Sequence, residues 1–386
     1  MTPRAVARIP AWLWIAALAA LPYLAVLGGP FQFDDHSMLR LTAVSTPDGW
    51  TRLLRIDESR PLTILSFWAN FQVAGQRSPM LWHAVNLLLH VANSILAWRV
   101  LAAWVAPSRA ALAAACIFAA HPLQAEPVCY IFARSTLLAA FFCLTALLLW
   151  NRASRWWAAI AFALALLSKE ECVAFPLFLL LLNWAQRRTR AEWPAIGAML
   201  ALSAAAGLRV LHATSSIAGS GAGFGATQTP WTYFTAQGVA ILRYLRLLIV
   251  PYPLTVDPQI DATPLAAGVA WLAVAAAIAL AIRFARSFEP AMWFLGGLLL
   301  LAPSSSFLPA DDLAADRRLY LPMLAFAACL ALLAERLPWK RASLAFVAML
   351  CGLLVWQVHH WTSETLLWQQ AVVAHRLTVG RSLPSR

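Results

Sequence analysis

The stretch Ala11–Asp35, AWLWIAALAALPYLAVLGGPFQFDD, decides the reading of the fold. Its first part, Ala11 to Leu27, carries no charge and is nearly as long as the roughly 20 apolar residues a membrane-spanning helix needs. Arg4 and Arg8 precede it, as they would in a secretion signal, but no small-x-small cleavage site follows. The run therefore reads as a retained first helix. Directly after it stand Phe33-Asp34-Asp35-His36. Two adjacent carboxylates at a membrane edge are costly to keep. They are either a solvated charge pair or a base placed where substrates arrive through lipid.

The whole chain extends this pattern. Of 386 residues, 61% are hydrophobic and 12% charged, against about 25% charged in ordinary soluble domains. Mean hydropathy is +0.68. The 19 tryptophans suit interfacial anchoring. The net charge of +12 is scattered between apolar runs with no basic face, so it reads as topology signal and not as a nucleic-acid footprint. Six cysteines without any C-x-x-C spacing signal neither zinc nor redox chemistry, and buried free thiols are expected.

Eleven spans fit: 11–29, 81–105, 109–120, 135–151, 155–168, 172–185, 193–212, 264–284, 290–303, 319–335 and 341–358. Arg4/Arg8, Arg152/Arg155, Arg187/Arg188/Arg190, Arg283/Arg286 and Arg336/Lys340/Arg341 then share one side, the cytoplasm. Asp34/Asp35, His121–Glu126, Lys169–Glu171, Asp257/Asp261 and Asp311–Arg318 fall on the other, with the C-terminus. Residues 231–250 are apolar but hold Arg243 and Arg246, and counting them as a span would invert that pattern. They are expected to form an interfacial or re-entrant helix after a Gly/Ser loop at 215–225, which is a lid or a plain linker. Spans 109–120 and 155–168 are too short to fill a bilayer before polar motifs begin. The expectation is an outward-facing cavity dipping into the membrane, with snorkelling helix ends as the alternative.

Four clusters carry possible chemistry. The first loop, 30–80, holds Asp34, Asp35 and Arg60-Pro61-Leu62, with a short interfacial helix at GWTRLL (49–54). His121-Pro122 leads to Glu126, and Arg134 lies about two helical turns further on. His121 and Glu126 are the only metal-ligand candidates, and their spacing does not set both on one helical face. Lys169 with Glu170 and Glu171 is either a phosphate partner or a local ion pair. Arg317 and Arg318, in Asp316-Arg317-Arg318-Leu319-Tyr320, run against the positive-inside rule, which a fixed anion such as a lipid phosphate would explain. Neutralisation by Asp311, Asp312 and Asp316 is the other reading. There is no Gly-rich nucleotide loop, no nucleophile elbow and no H-E-x-x-H.

The order FDD (33–35), RPL (60–62), Trp82-His83 with Asn86 and Leu89-His90, HPxxxE (121–126), Arg134 with Leu138-Ala139-Ala140, SKE (168–170) and DRRLYLP (316–322) resembles the GT-C membrane glycosyltransferases. Within them it is most similar to the TMTC-type protein O-mannosyltransferases and their bacterial relatives, over about Phe33 to Trp368. The resemblance implies an all-α polytopic fold of about 11 transmembrane helices, with interfacial helices in the first outer loop. A GT-C-like transmembrane domain would occupy 1–358, with periplasmic loops at 30–80 and 213–263, and a short periplasmic tail would occupy 359–386. It implies inverting transfer of a sugar from polyprenyl phosphate to a hydroxyl of a protein, glycan or lipid acceptor. Asp34 would be the base and Asp35 its neighbour. Arg60, His121, Glu126, Arg134, Lys169, Glu170, Arg317, Arg318 and Tyr320 would contact substrate, Lys169 and Arg317 at the phosphate. No cofactor is expected and a divalent metal is not required. Two departures stand out. Arg318 occupies a place where relatives commonly have an aromatic. Many relatives also continue into tetratricopeptide repeats after a segment like Trp361–Trp368, so acceptor recognition by such repeats is expected to be either absent or supplied by a separate repeat-type partner. The Ala-rich composition points to a bacterial inner membrane, N-terminus cytoplasmic. The rival readings are a transporter or flippase for a lipid-linked or anionic substrate, and a non-catalytic assembly subunit.

Overall fold

A computed structural model describes residues 10–54, 60–76, 78–185, 192–216, 228–310, 312–336 and 340–379. Among these residues the fold is all-helical. The loop at 215–225 lies largely outside them, as do Asp311, Arg187, Arg188 and Arg190.

Helix α1 (Ala11–Ala20) runs on as a 3₁₀ helix to Gly28. The first loop then folds into α2 (Asp35–Arg40), α3 (Thr42–Ser45), a 3₁₀ turn at Gly49–Leu54 where GWTRLL predicts a short helix, and α4 (Pro61–Ala74). The sequence reading leaves α4 inside the loop. Its Pro at the first helical position is a start signal, but Thr63, Ser66 and Asn70 dilute its hydropathy. Met38, Leu39, Val44, Ile64, Phe67, Trp82 and Ile131 bury a small apolar core of their own, so this loop is a packed cap.

The bundle follows: α5 (Met80–Trp104), α6 (Ser108–Ala120), α7 (Ala125–Cys129), α8 (Arg134–Asn151), α9 (Arg155–Ser168), α10 (Phe175–Ala185), α11 (Trp193–Ser216), α12 (Pro230–Leu247), α13 (Pro264–Phe284), α14 (Glu289–Leu301), α15 (Met323–Ala334), α16 (Lys340–His360) and α17 (Glu364–Val379). Five helices are long and apolar enough to cross a membrane: 11–28, 80–104, 131–151, 193–212 and 264–284. These five are counted among the described residues; the pair 345–360 and 364–377, bent by 119°, is a broken span, which would make six, or a re-entrant loop. Helices α6, α9 and α15 are apolar but shorter. The protein is thus an integral membrane protein by its apolar helices.

Small residues let these helices close. α6 presents Ala110, Ala111, Ala114 and Ala115 to the interior, where it packs on α5 and α15. On α14, a Cβ at Gly296 would lie 2.6 Å from the Phe178 ring and one at Gly297 2.5 Å from the Phe326 ring. Both glycines are the condition for α10 and α15 to pack there. α12 is a continuous helix lying on α13, with Tyr233, Ala236, Ala240, Tyr244 and Leu247 buried. All six cysteines are free thiols.

Candidate active site

The charged motifs, remote in sequence, meet at one cavity of about 270 Å³. Asp34, Arg60, Tyr130, Thr136, Lys169, Glu170, Glu171, Tyr233, Asp312, Arg317 and Arg318 are in its lining. Of the residues singled out from the sequence, Asp34, Arg60, Lys169, Glu170, Arg317 and Arg318 are therefore together.

Asp34 reaches the cavity through a strained turn. Phe33 holds φ at +46°, unusual for a bulky residue, and its ring is clamped edge-on against Tyr130, Trp361 and Trp368. The turn sends neighbouring acids in opposite directions. Asp34 is exposed, and the Tyr130 hydroxyl donates to its Oδ2 at 2.8 Å while accepting its backbone N–H at 3.2 Å. Asp35 is fully buried, and its two carboxylate oxygens accept the N–H groups of Gln32 (2.9 Å) and Phe132 (2.7 Å). Burial pushes the Asp35 carboxyl up to about 7, although those two hydrogen bonds and the Arg134 charge oppose the rise. Asp35 fastens the acidic turn to the start of α8 and is not in the cavity lining.

The cations enter with partners. Thr63 on α4 donates to the Ser168 carbonyl at 2.8 Å, which brings Arg60 beside the end of α9. Arg60 grips Glu170 bidentately, with Nε at 2.9 Å from Oε2. Burial alone would raise the Glu170 carboxyl, but Arg60 overrides it and holds the group at about 2. Lys169 Nζ bridges Glu171 (2.8 Å) and the Thr136 hydroxyl (2.9 Å), and burial lowers its pKa despite Glu171. Arg317 is pinned twice, to Glu126 at 2.6 Å and Asp312 at 2.7 Å. Arg318 differs: its guanidinium donates to the Tyr233 hydroxyl and to the carbonyls of Leu313 and Asp312, all neutral. Among the described residues it forms no direct ion pair with a carboxylate, and Glu171, also in the cavity wall, acts on it only through its field.

Four expected contacts lie elsewhere. Glu126 accepts both the backbone N–H (3.1 Å) and the guanidinium of Arg317, so it fixes that arginine from behind. Burial raises its carboxyl against the pull of Arg317. His121 is sealed: Nδ1 accepts the Leu123 N–H and Nε2 meets the Leu248 carbonyl, which makes it a cap for the 3₁₀ turn at Pro122–Gln124. With His121 and Glu126 both occupied, neither is free to ligate a metal. No group of three His, Cys, Asp or Glu among the described residues could hold one. Arg134 is buried at the head of α8, bound to Asn86 Oδ1, Asn70 Oδ1 and the carbonyls of Ser66 and Trp82, with Phe67 beneath it at 4.8 Å. Tyr320 is buried against His90 (2.9 Å) and Asn93 (3.1 Å). In all four the polar head turns toward backbone and side-chain partners inside the bundle.

Tyr130, Thr136 and Tyr233 are also in the lining without having been assigned a role from the sequence. Asp312, named from the sequence as a neutralising partner, pairs with Arg317 at 2.7 Å. Tyr130 carried no signal, since Asp34 is 96 residues away.

Comparison with known proteins agrees with the ordered motifs. Protein O-mannosyl-transferase Tmtc2 of Drosophila melanogaster is 28% identical over 287 residues, 65% of this chain and 31% of the relative. A protein O-mannosyl-transferase of Caenorhabditis elegans is 30% identical over 178 residues, 41% of this chain and 26% of its own length. Protein O-mannosyl-transferase TMTC4 of Homo sapiens is 31% identical over 176 residues, 38% of this chain and 24% of its own. No protein-family profile matches the chain, and no solved structure does. The chain spans about a third or less of the length of these curated relatives. Within that span it is similar to the TMTC-type protein O-mannosyl-transferases.

Proposed function

We propose that the protein is a GT-C-type membrane glycosyltransferase that moves a hexose, mannose by similarity, from a polyprenyl-phosphate donor to an acceptor hydroxyl. The observation that carries this reading is one cavity holding an exposed carboxylate, Asp34, together with four cationic side chains, Arg60, Lys169, Arg317 and Arg318.

Asp34 takes the proton from the acceptor hydroxyl as its oxygen attacks the anomeric carbon. The carbon–oxygen bond to phosphate breaks on the opposite face, so the configuration inverts. Tyr130 occupies Oδ2 and leaves Oδ1 for the acceptor. The departing phosphate gathers charge among preorganised cations. Lys169 and Arg317 contribute their field, already shared with carboxylates, and Arg318 offers a guanidinium that no carboxylate binds directly. A lipid phosphate leaves readily enough that no metal step is invoked.

The same reading places eleven helical spans in a bacterial inner membrane, with the N-terminus cytoplasmic and the cavity and α17 on the periplasmic side. α12 lies near the outer interface. The acceptor is a protein Ser or Thr, as the names of the similar proteins suggest.

Asp34→Asn is the test. General-base help is worth about 10²–10⁴-fold, so the purified variant should retain trace transfer from a polyprenyl-phosphate mannose donor, with an unchanged melting temperature because Asp34 is exposed. Transfer at the wild-type rate would end the proposal.

A further inference from the structure

The turn that carries Asp34 is fastened at two places. At its ends, the Asp35 N–H donates to the Gln32 carbonyl at 2.9 Å, and the Asp35 carboxylate ties the turn to Phe132. At its middle stands Phe33 with φ at +46°, a conformation that a bulky side chain keeps only where its surroundings impose it. Three rings stand nearly perpendicular to the Phe33 ring: Tyr130 at 5.7 Å, Trp361 at 6.4 Å and Trp368 at 5.7 Å between centroids. Such edge-on contacts are directional, unlike plain apolar burial.

Two of the three rings come from a distant part of the chain. After the 119° bend that follows α16, α17 lies against the acidic turn. Leu367 is fully buried in the main core, and the Gln370 amide donates to Gln357 of α16. α17 is therefore held to the bundle without Trp368, which is 44% exposed. Trp361 differs: it is buried and stacks on Tyr130 at 6.2 Å, so it supports the bundle as well as the turn. What Trp368 adds is the contact with Phe33.

We propose that Trp368 is a positioning residue for Asp34. Its ring holds Phe33 in the left-handed conformation, from which the Asp34 N–H and carboxylate both meet the Tyr130 hydroxyl at the cavity wall. Without that ring, Phe33 relaxes toward negative φ. The ends of the turn stay fixed by Asp35, so the rotation falls on Asp34 and carries it off Tyr130. This rests on the reading of Asp34 as the base and adds that α17 sets the base in place. An interfacial anchor, the ordinary use of an exposed tryptophan, would need only apolar bulk at this position.

The experiment compares Trp368→Leu with Trp368→Phe in the full chain in nanodiscs. Transfer from polyprenyl-phosphate mannose to a Ser/Thr-rich peptide gives kcat and donor KM. Carbodiimide coupling read by mass spectrometry gives the labelling rates of Asp34 and Asp35. Trp368→Leu is expected to lower kcat about 10- to 100-fold with donor KM within about twofold. It should also speed labelling of Asp34 several-fold while Asp35 stays protected. Trp368→Phe keeps an edge-on ring and should hold both readouts near wild type. In a Phe33→Ala background, Trp368→Leu should change neither any further. Equal behaviour of the Leu and Phe variants, faster labelling at both aspartates, or a fall in kcat with Asp34 labelling unchanged would overturn the positioning role. If the wild-type protein transfers no sugar but Asp34 labelling still answers to the ring on α17 in this way, the positioning stands and the transferase reading falls.

Discussion

The cavity wall and the layer behind it are built from the same residue types and do opposite things. In the wall, Asp34, Lys169, Arg317 and Arg318 present charge to open space. Behind it, Asp35, Glu126, His121, Arg134 and Tyr320 spend their hydrogen bonds on neighbouring segments. The two layers meet at adjacent residues in Asp34 and Asp35. Buried polar groups in an apolar bundle must find partners. A span that carries charge therefore either lines a cavity or ties helices together, and motif membership does not tell which.

The largest effect that could break this comparison is at Arg134. Each buried acceptor stranded without a partner costs about 1–3 kcal/mol, and Arg134→Ala strands Asn86, Asn70 and the carbonyls of Ser66 and Trp82 together. Little or no folded protein is expected, measured as monodisperse yield by fluorescence-detected size exclusion. A variant that folds normally yet is inactive would move Arg134 from the supporting layer to the reacting one.

How much was legible follows the same division. The long apolar runs gave their helices directly, and α5, α8, α11 and α13 fall within a few residues of the expected spans. The acids and bases at helix ends converge as expected at Asp34, Arg60, Lys169, Glu170, Arg317 and Arg318. What failed was orientation. His121 and Tyr320 stand in strong motifs but turn inward, since a polar head in a span finds acceptors on either side. Tyr130 and Tyr233 were missed because their value lies in contacts to Asp34 and Arg318, across 96 and 85 residues of chain. The cap was missed because α4 mixes polar and apolar residues and buries only one face.

Arg318 sharpens the comparison within the wall itself. Arg317 is held by two carboxylates, whereas Arg318 bonds only neutral acceptors among the described residues. An entering phosphate displaces no directly bound carboxylate from Arg318. Arg318→Gln is expected to raise donor KM about tenfold with a smaller change in kcat, the cost of one lost charge-assisted contact. Arg317→Gln should instead lower the melting temperature, since it strands buried Glu126. If steady-state kinetics gave the larger donor-KM effect at Arg317, the assignment of the anion to Arg318 would be reversed.

The smallest effect is the pH dependence that Asp35 gives the fold. The folded-state carboxyl of Asp35 is raised to about 7, whereas in an unfolded chain it titrates near 3.8. The folded state therefore prefers the protonated acid. Its contribution to stability is complete below about 4 and is lost as pH rises toward about 7, above which both states are ionised. Asp35→Asn cannot ionise, so the variant should lack this part of the slope. It should also be less stable overall, because an amide cannot accept both N–H groups of Gln32 and Phe132. Melting temperatures of wild type and variant, followed by tryptophan fluorescence from pH 4 to 7, give the difference directly. Parallel curves would mean that Asp35 stays ionised in the fold, with its two N–H bonds and the Arg134 charge outweighing burial. Asp34 differs in its surroundings: it is exposed to the cavity, and its carboxylate is held on one oxygen, by the Tyr130 hydroxyl.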